Sequence, residues 1–294
     1  MKKNLILSFI FLLLLGFNAS QAQVKFGTGI SFGYGKGAAI DEVNSNYSID
    51  SAGNETDEGL YHSYGKGFTA ALLLTARICN NGDFELNIGG FKGKKFTYTD
   101  HEDYGFGQVY NETGTFGACG WFLEPMIRLH TNNEDGQLNY YARQGLLIGL
   151  GIKNTTVRNA SNSYGQLFNT TTDWTTVDRA KTAFGYTGEL GLAYTPNNNY
   201  EFNFGIYFRG VNVCWKTSSF TEYSRNTMSG SITSHTGIDS LDVNQKEVIY
   251  KKTVSDTDNI SDKLPTVLLQ DFQPLSSVGL RIGFVYHFGS AVTR

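Results

Sequence analysis

After its first two dozen residues the chain alternates large apolar and small or polar positions with a period of two. Residues 24–36 place Val24, Phe26, Thr28, Ile30, Phe32 and Tyr34 on one face and Lys25, Gly27, Gly29, Ser31, Gly33 and Gly35 on the other. Successive side chains of a strand point to opposite faces, so this pattern predicts a strand with one bulky face and one nearly bare face. The signature returns at 64–78, 84–98, 114–130, 138–153, 181–194, 200–215 and 276–288, predicting eight strands. Their large faces carry residues such as Leu72, Leu74, Trp121, Leu123, Leu146, Ile148, Ile152, Phe202 and Phe204. Their opposite faces carry Arg77, Glu85, Glu124, Arg128, Arg143, Glu189, Glu201, Arg209 and Arg281 among glycines and small polar residues.

The connections alternate in length. Short, Asn-rich turns at 79–83, 131–137 and 195–199 close pairs of strands, and Asn81-Gly82 is a strong hairpin signal. Long polar connections at 41–63, 99–113, 154–180 and 217–273 join those pairs at the other end. Short turns on one side and long loops on the other are the layout of a meander closed into a transmembrane barrel. There the bulky faces meet lipid and the charged faces share the lumen. The fold class is therefore all-β: an antiparallel up-and-down barrel of eight strands, or ten if the alternation at 243–254 adds a pair. Two local irregularities are expected. The phase slips at Gly89-Gly90, which predicts a bulge, and Pro125 removes a ladder donor, which predicts another.

The start of the chain supplies the address. Met1-Lys2-Lys3, an apolar run from Leu5 to Phe17, and small residues at Ser20 and Ala22 form a cleavable secretory signal over 1–22. The apolar run is shorter than the roughly 20 residues of a spanning helix. One mature domain, 23–294, follows. Three cysteines, Cys79, Cys119 and Cys214, fall on separate strands too far apart for a disulfide. The formal net charge of -3 argues against nucleic acid as a partner, which needs a concentrated basic surface.

On this layout the chain resembles the small eight-stranded outer-membrane barrels of the OmpA N-terminal and OmpX kind, in the style common among Bacteroidetes. The resemblance implies residence in a Gram-negative outer membrane, contact with its lipid and lipopolysaccharide, and insertion by the barrel-assembly machinery. That machinery reads an aromatic-ended last strand, and Phe284, Tyr286 and Phe288 resemble its signal. Asp50-Ser51-Ala52 and Asp239-Ser240-Leu241 resemble the Bacteroidetes O-glycosylation triplet.

Four groups of residues have the composition to carry chemistry or binding. Eight strands enclose a lumen only wide enough for side chains, so its nine charges should pair as a structural plug, with a narrow ion gate as the alternative. His62-Ser63 and Ser234-His235 offer serine next to histidine, but their spacing demands no triad and the His-x-Ser-Asn motif of lipid A deacylases is missing. The acidic clusters Asp41 to Glu58 and Asp100 to Asp103 are solvated faces, and Asp256-Thr257-Asp258 fails as a calcium loop because Ile260 takes a ligand position. The long connections, with Tyr164, Phe168 and Trp174 in one and the apolar run 264–269 in another, suit a protein or glycan partner. The expectation is a non-enzymatic outer-membrane protein, structural or surface-binding, without cofactor or metal. A lipid A-modifying enzyme and a narrow ion-conducting barrel are the alternatives.

Overall fold

The computed structural model describes residues 25–38, 41–131, 137–165, 168–197, 199–255, 259 and 261–288, with backbone alone at 41–44 and 62. The expected signal peptide, Val24 and most of the 131–137 turn lie outside the described residues. Sixteen strands are present among them. In chain order these are β1 (Phe26–Gly37), β2 (Asp41–Ile49), β3 (Glu55–His62), β4 (Gly67–Cys79), β5 (Gly82–Gly93), β6 (Phe96–Asp103), β7 (Gln108–His130) and β8 (Leu138–Tyr164). There follow β9 (Phe168–Ala180), β10 (Ala183–Asn197), β11 (Tyr200–Ser229), β12 (Ile232–Gly237), β13 (Glu247–Lys251), β14 (Thr266–Leu269), β15 (Phe272–Pro274) and β16 (Ser277–Phe288). A one-turn helix, α1 (Val243–Lys246), precedes β13, and no described helix is long and apolar enough to cross a membrane.

The antiparallel pairings β1·β4, β4·β5, β5·β7, β7·β8, β8·β10, β10·β11, β11·β16 and β16·β1 return to their starting strand. The strands in this ring are those at the eight predicted positions. β13, in the segment whose alternation suggested a further pair, lies outside the ring and pairs with upper β11 and β14. Large apolar side chains face out all round the ring, with Phe32, Phe68, Trp121, Leu146, Phe184, Phe204 and Ile282 each about half exposed or more. They form two aromatic bands. Phe26 stacks with Phe288 and Tyr200 packs on Phe284 and Tyr286 at the lower end, where the short turns lie. Tyr34 meets Phe68 edge-on and Tyr186 packs on Phe208 at the upper end. On β1 the bands stand about 26 Å apart along the strand.

The long polar connections are not loops. β7, β8 and β11 continue the ring strands upward as single strands of 23, 27 and 30 residues. β9 fits between upper β8 and upper β11, so β8–β9 is a hairpin whose register runs from Lys153↔Arg179 to Tyr164↔Phe168. β6 pairs with upper β7, and the β2–β3 hairpin joins this sheet through a parallel contact with β6. The physical reason is composition: segments such as 168–180, with five Thr beside Phe168, Trp174 and Val177, suit a strand wetted on both faces while being polar enough to pass for a loop.

Three local expectations are corrected. The register across Gly89-Gly90 is continuous on both sides, and the phase changes instead at the Lys94-Lys95 break between β5 and β6. The β7·β8 register passes Pro125 unshifted, and the irregularity lies between Cys119 and Trp121. It is taken up across the strand by Gly151, whose φ of +56° is left-handed. That bulge turns Ile152, expected outside, to the interior, where it is 1% exposed. At the first short turn Cys79 pairs with Gly82, so the loop residues are Asn80 and Asn81 and neither has positive φ.

Candidate functional site

The ring's interior has two storeys, and the lower one is ionic. Glu85, Glu124, Glu189 and Glu201 face Arg128, Arg143, Arg209 and Arg281, and all eight are buried. Alternation places them there, because each occupies an inward position whose chain neighbours point out. They form one unbroken chain of alternating sign. Glu201 accepts from Arg128 at 2.5 Å, and Arg128 reaches Glu85 at 3.4 Å. Glu85 accepts from Arg143 at 2.8 Å, and Arg143 donates to Glu189 at 2.5 Å. Glu189 meets Arg281 at 3.1 Å, Arg281 reaches Glu124 at 3.4 Å, and Glu124 accepts from Arg209 at 2.6 Å.

Neighbouring groups complete the lattice. His287 lies 3.4 Å from Glu201 at its lower end. Asn87 donates to Glu124 at 3.1 Å, and the Tyr141 hydroxyl donates to Glu189 at 2.5 Å. The guanidinium groups also stack on rings: Arg128 over Tyr141 at 4.5 Å, Arg281 over Tyr207 at 4.8 Å and Arg209 over Phe122 at 4.1 Å. Four positive and four negative groups balance, so the chain carries no net charge with His287 neutral. Glycines on β1 make room for it, since a Cβ at Gly35 would stand 2.5 Å from the Tyr207 hydroxyl and 3.0 Å from the Ser277 Cβ.

Arg77, expected in the same group, stands apart. It pairs with Asp83 at 3.1 Å near the lower rim, and about a third of its side chain is exposed. His130 approaches the other Asp83 oxygen at 3.4 Å. Asp83 and His130 were missed because they border short turns, and the parity of their positions on β5 and β7 is the signal that could have found them.

The upper storey is apolar and was not foreseen. Tyr64, Phe96, Phe116, Leu147, Ile152, Val211, Val213, Trp215 and Leu275 form a buried cluster with Tyr98, Ala118 and Ala183. Phe116 packs on Tyr64, Phe96 and Tyr98, while Trp215 meets Tyr64 edge-on at 6.0 Å. The Trp215 indole donates to Gln273 at 2.9 Å. This cluster sits directly above Arg209 because Val211, Val213 and Trp215 continue the inward face of β11. The predicted strand 200–215 already held Val211, Val213 and Trp215 at the parity of Arg209, but only its charged inward positions stood out, so the cluster was passed over.

The other candidates disperse. The Ser63 hydroxyl is buried and donates to the Ser276 carbonyl at 2.7 Å. His235 is exposed and bonds Asn226. Asp50 caps its own turn through Ala52 and Asn54, with Ser51 exposed beside it. His101 contacts Asn111, and Glu112 accepts from Tyr98 and Tyr110. Among the described residues no three His, Cys, Asp or Glu side chains converge as a metal site, and Asp256 to Asp258 lie outside them. In the 264–269 run Val267 is buried while Leu264, Leu268 and Leu269 are exposed. Cys79, Cys119 and Cys214 are free. Tyr286 and Phe288 face outward on the last strand.

No family model matches the chain, and no curated protein matches it. Among solved structures it is similar to Neisserial surface protein A, with 12% identity, a TM-score of 0.37 and coverage of 90% of this chain and 97% of that one. It is also similar to the outer membrane protein OprG from Pseudomonas aeruginosa, with 12% identity, a TM-score of 0.40 and coverage of 92% and 97%. A mutant of the monoaromatic hydrocarbon channel TodX follows, with 9% identity, a TM-score of 0.21 and coverage of 94% and 92%.

Proposed function

We propose that this chain is a closed eight-stranded barrel of a Gram-negative outer membrane, delivered there by a cleaved signal peptide and serving a non-enzymatic role. The observation that carries this reading is the inversion of the ring. Its outer wall is apolar with an aromatic band at each end, and its interior is charged and paired. Burying that wall in water-soluble form would need a partner over its whole circumference, whereas lipid covers it directly. The short turns face the periplasm and the tall sheet stands outside the cell.

The same interior argues for a sealed lumen. An ion crossing it would have to break a lattice of eight mutually neutralised charges and then pass a packed aromatic cluster. The barrel is accordingly an anchor, and the upper sheet is the working part. That sheet stabilises the envelope or presents a contact surface to a protein or glycan. Phe284, Tyr286 and Phe288 fit recognition by the assembly machinery.

Two measurements on one preparation test this. Protein refolded into vesicles should migrate faster on a gel when unheated than when boiled. In planar bilayers it should give no stepwise conductance. Absence of the mobility shift would overturn the barrel, and steady conductance through the heat-modifiable species would overturn the seal.

A further inference from the structure

One rung of the outer wall differs from all others. Lys92 on β5 pairs with Cys119 on β7, Cys119 pairs with Lys153 on β8, and Lys153 pairs with Arg179 on β9. All four side chains are exposed on the outward face. Three cations therefore sit side by side, Lys92 and Lys153 about 10 Å apart and Arg179 about 5 Å further round. Lys94 and Lys95, also exposed, follow immediately above. No ion pair joins Lys92, Lys153 or Arg179 to a carboxylate among the described residues, and Arg179 is held only by the Ser219 hydroxyl at 3.3 Å. Like charges directly opposite on neighbouring strands destabilise a sheet. Lys153 and Arg179 are such a pair, so the rung is strained unless an anion lies across it.

What lies beneath names the anion. Below the rung the wall sinks into an outward groove of about 840 Å³, floored by Gly90 and Ala70 and flanked by Phe68, Trp121, Leu280 and Ile282. Phe68 and Trp121 are 69% and 67% exposed, the surface that acyl chains cover. A row of cations at the upper edge of an apolar groove matches an amphiphile with phosphate at its head and hydrocarbon below. We infer that this rung and groove form a binding site for a phosphorylated, acylated glycolipid of the outer leaflet, with Lys92, Lys153 and Arg179 holding its phosphates. This rests on the outer-membrane reading above and deepens it. It assigns the lipid contact to one sector of the wall, from β16 through β1, β4, β5, β7 and β8 to β9, leaving the rest as unspecific lipid surface.

The probe is bis-phosphorylated lipid A, with its dephosphorylated form as comparison, added to the full barrel in detergent and read by native mass spectrometry. Wild type should retain the phosphorylated lipid at least about tenfold better than the dephosphorylated one. Lys92→Glu/Lys153→Glu/Arg179→Glu should abolish that preference, while Arg225→Glu/Lys246→Glu, one on upper β11 and the other on α1, should leave it intact. Lipid A should also raise the urea midpoint of wild type and not of a Lys92→Gln/Lys153→Gln/Arg179→Gln variant, which covers the case in which charge reversal blocks folding. Equal retention of both lipids, or equal preference in wild type and the glutamine variant, would overturn the site. The unheated gel shift is recorded on every sample. A shifted barrel without the preference refutes the lipid site alone, and a wild type without the shift refutes the barrel.

Discussion

Replacing Glu124 with glutamine keeps the shape of the ionic storey and removes one charge from it. In the native lattice Glu124 accepts from Arg209 at 2.6 Å, from Asn87 at 3.1 Å and from Arg281 at 3.4 Å. Arg281 keeps Glu189 when Glu124 is neutralised. Arg209 keeps no carboxylate, and its remaining partners are the faces of Phe122 and Tyr207. Leaving one member of a buried pair uncompensated costs about 3–5 kcal/mol. Those ring contacts are already present in the native lattice and do not offset the loss, so Glu124→Gln should destabilise by about 3–5 kcal/mol. Arg209→Met should cost less, roughly 1–3 kcal/mol, because Glu124 retains Arg281 and Asn87.

The double variant decides the matter. With both charges gone the lattice is balanced again, and it should lie within about 1–2 kcal/mol of wild type. The coupling would then exceed about 2 kcal/mol, well above the roughly 0.5 kcal/mol tolerance of additivity. Urea unfolding in vesicles, followed by tryptophan fluorescence, reads this directly: 3 kcal/mol moves the midpoint by about 1.5 M at a slope near 2 kcal/mol/M. A double variant as unstable as the sum of the singles would refute the claim that Glu124 and Arg209 neutralise one another.

Gly151→Ala should cost about 1–2 kcal/mol in the same assay through its left-handed backbone, since no atom crowds the position; an unchanged midpoint would show that the bulge relaxes. In single-tryptophan variants, brominated lipid should quench Trp121 and spare Trp215, which is 5% exposed; quenching of both would place the aromatic cluster in contact with lipid. The β2–β6 contact should tighten in mild acid. Burial and then Glu112 raise the Asp100 carboxyl, while burial and then Asp100 raise Glu102. A raised folded value means the ionised group opposes folding. Stability is therefore fully present below the ordinary carboxylate range and is lost as pH rises through the raised values. Proteolysis within 41–62 should slow as pH falls toward 4, relative to an unstructured peptide. Asp100→Asn should flatten that dependence, and a flat wild-type profile would count against it.

The ring was legible because its side chains divide between two settings, an apolar outer wall and a crowded polar interior, and alternation reports that contrast at every step. Phe202 to Arg209 is the clearest case, with Phe202, Phe204, Ile206 and Phe208 alternating with Asn203, Gly205, Tyr207 and Arg209. The contrast ends where both faces are wet, so 154–180 and 217–229 carried no hydrophobic period and passed for loops. Their Thr and Tyr content was the available signal, and it was outweighed by polarity. Bulges were legible only as possibilities. Two glycines at 89–90 looked like one and are instead places of close approach, where a Cβ on Gly89 would strike the Ala70 carbonyl at 2.3 Å. The true one at Gly151 is a lone glycine among several, and it moved Ile152 across the wall. Charge partners were legible as a set but not as pairs, because pairing depends on strand stagger rather than on order along the chain.

The 30 residues of β11 form one uninterrupted strand from the lowest turn to the tip at Gly230. Its upper 12 residues, 218–229, rise above the rung of cations, paired with β9 over most of that length and shifted in register once, between Phe220 and Glu222. At the tilt of a small barrel they lift the tip roughly 28–33 Å above that rung. A surface this tall is a standoff. It holds its outermost residues at a height above the ring fixed by hydrogen-bond geometry instead of by a tether's fluctuations. Whatever meets the tip meets it at a constant distance from the ring, and shortening β8, β9 and β11 together by whole two-residue steps would lower that meeting point without turning any side chain to the wrong face.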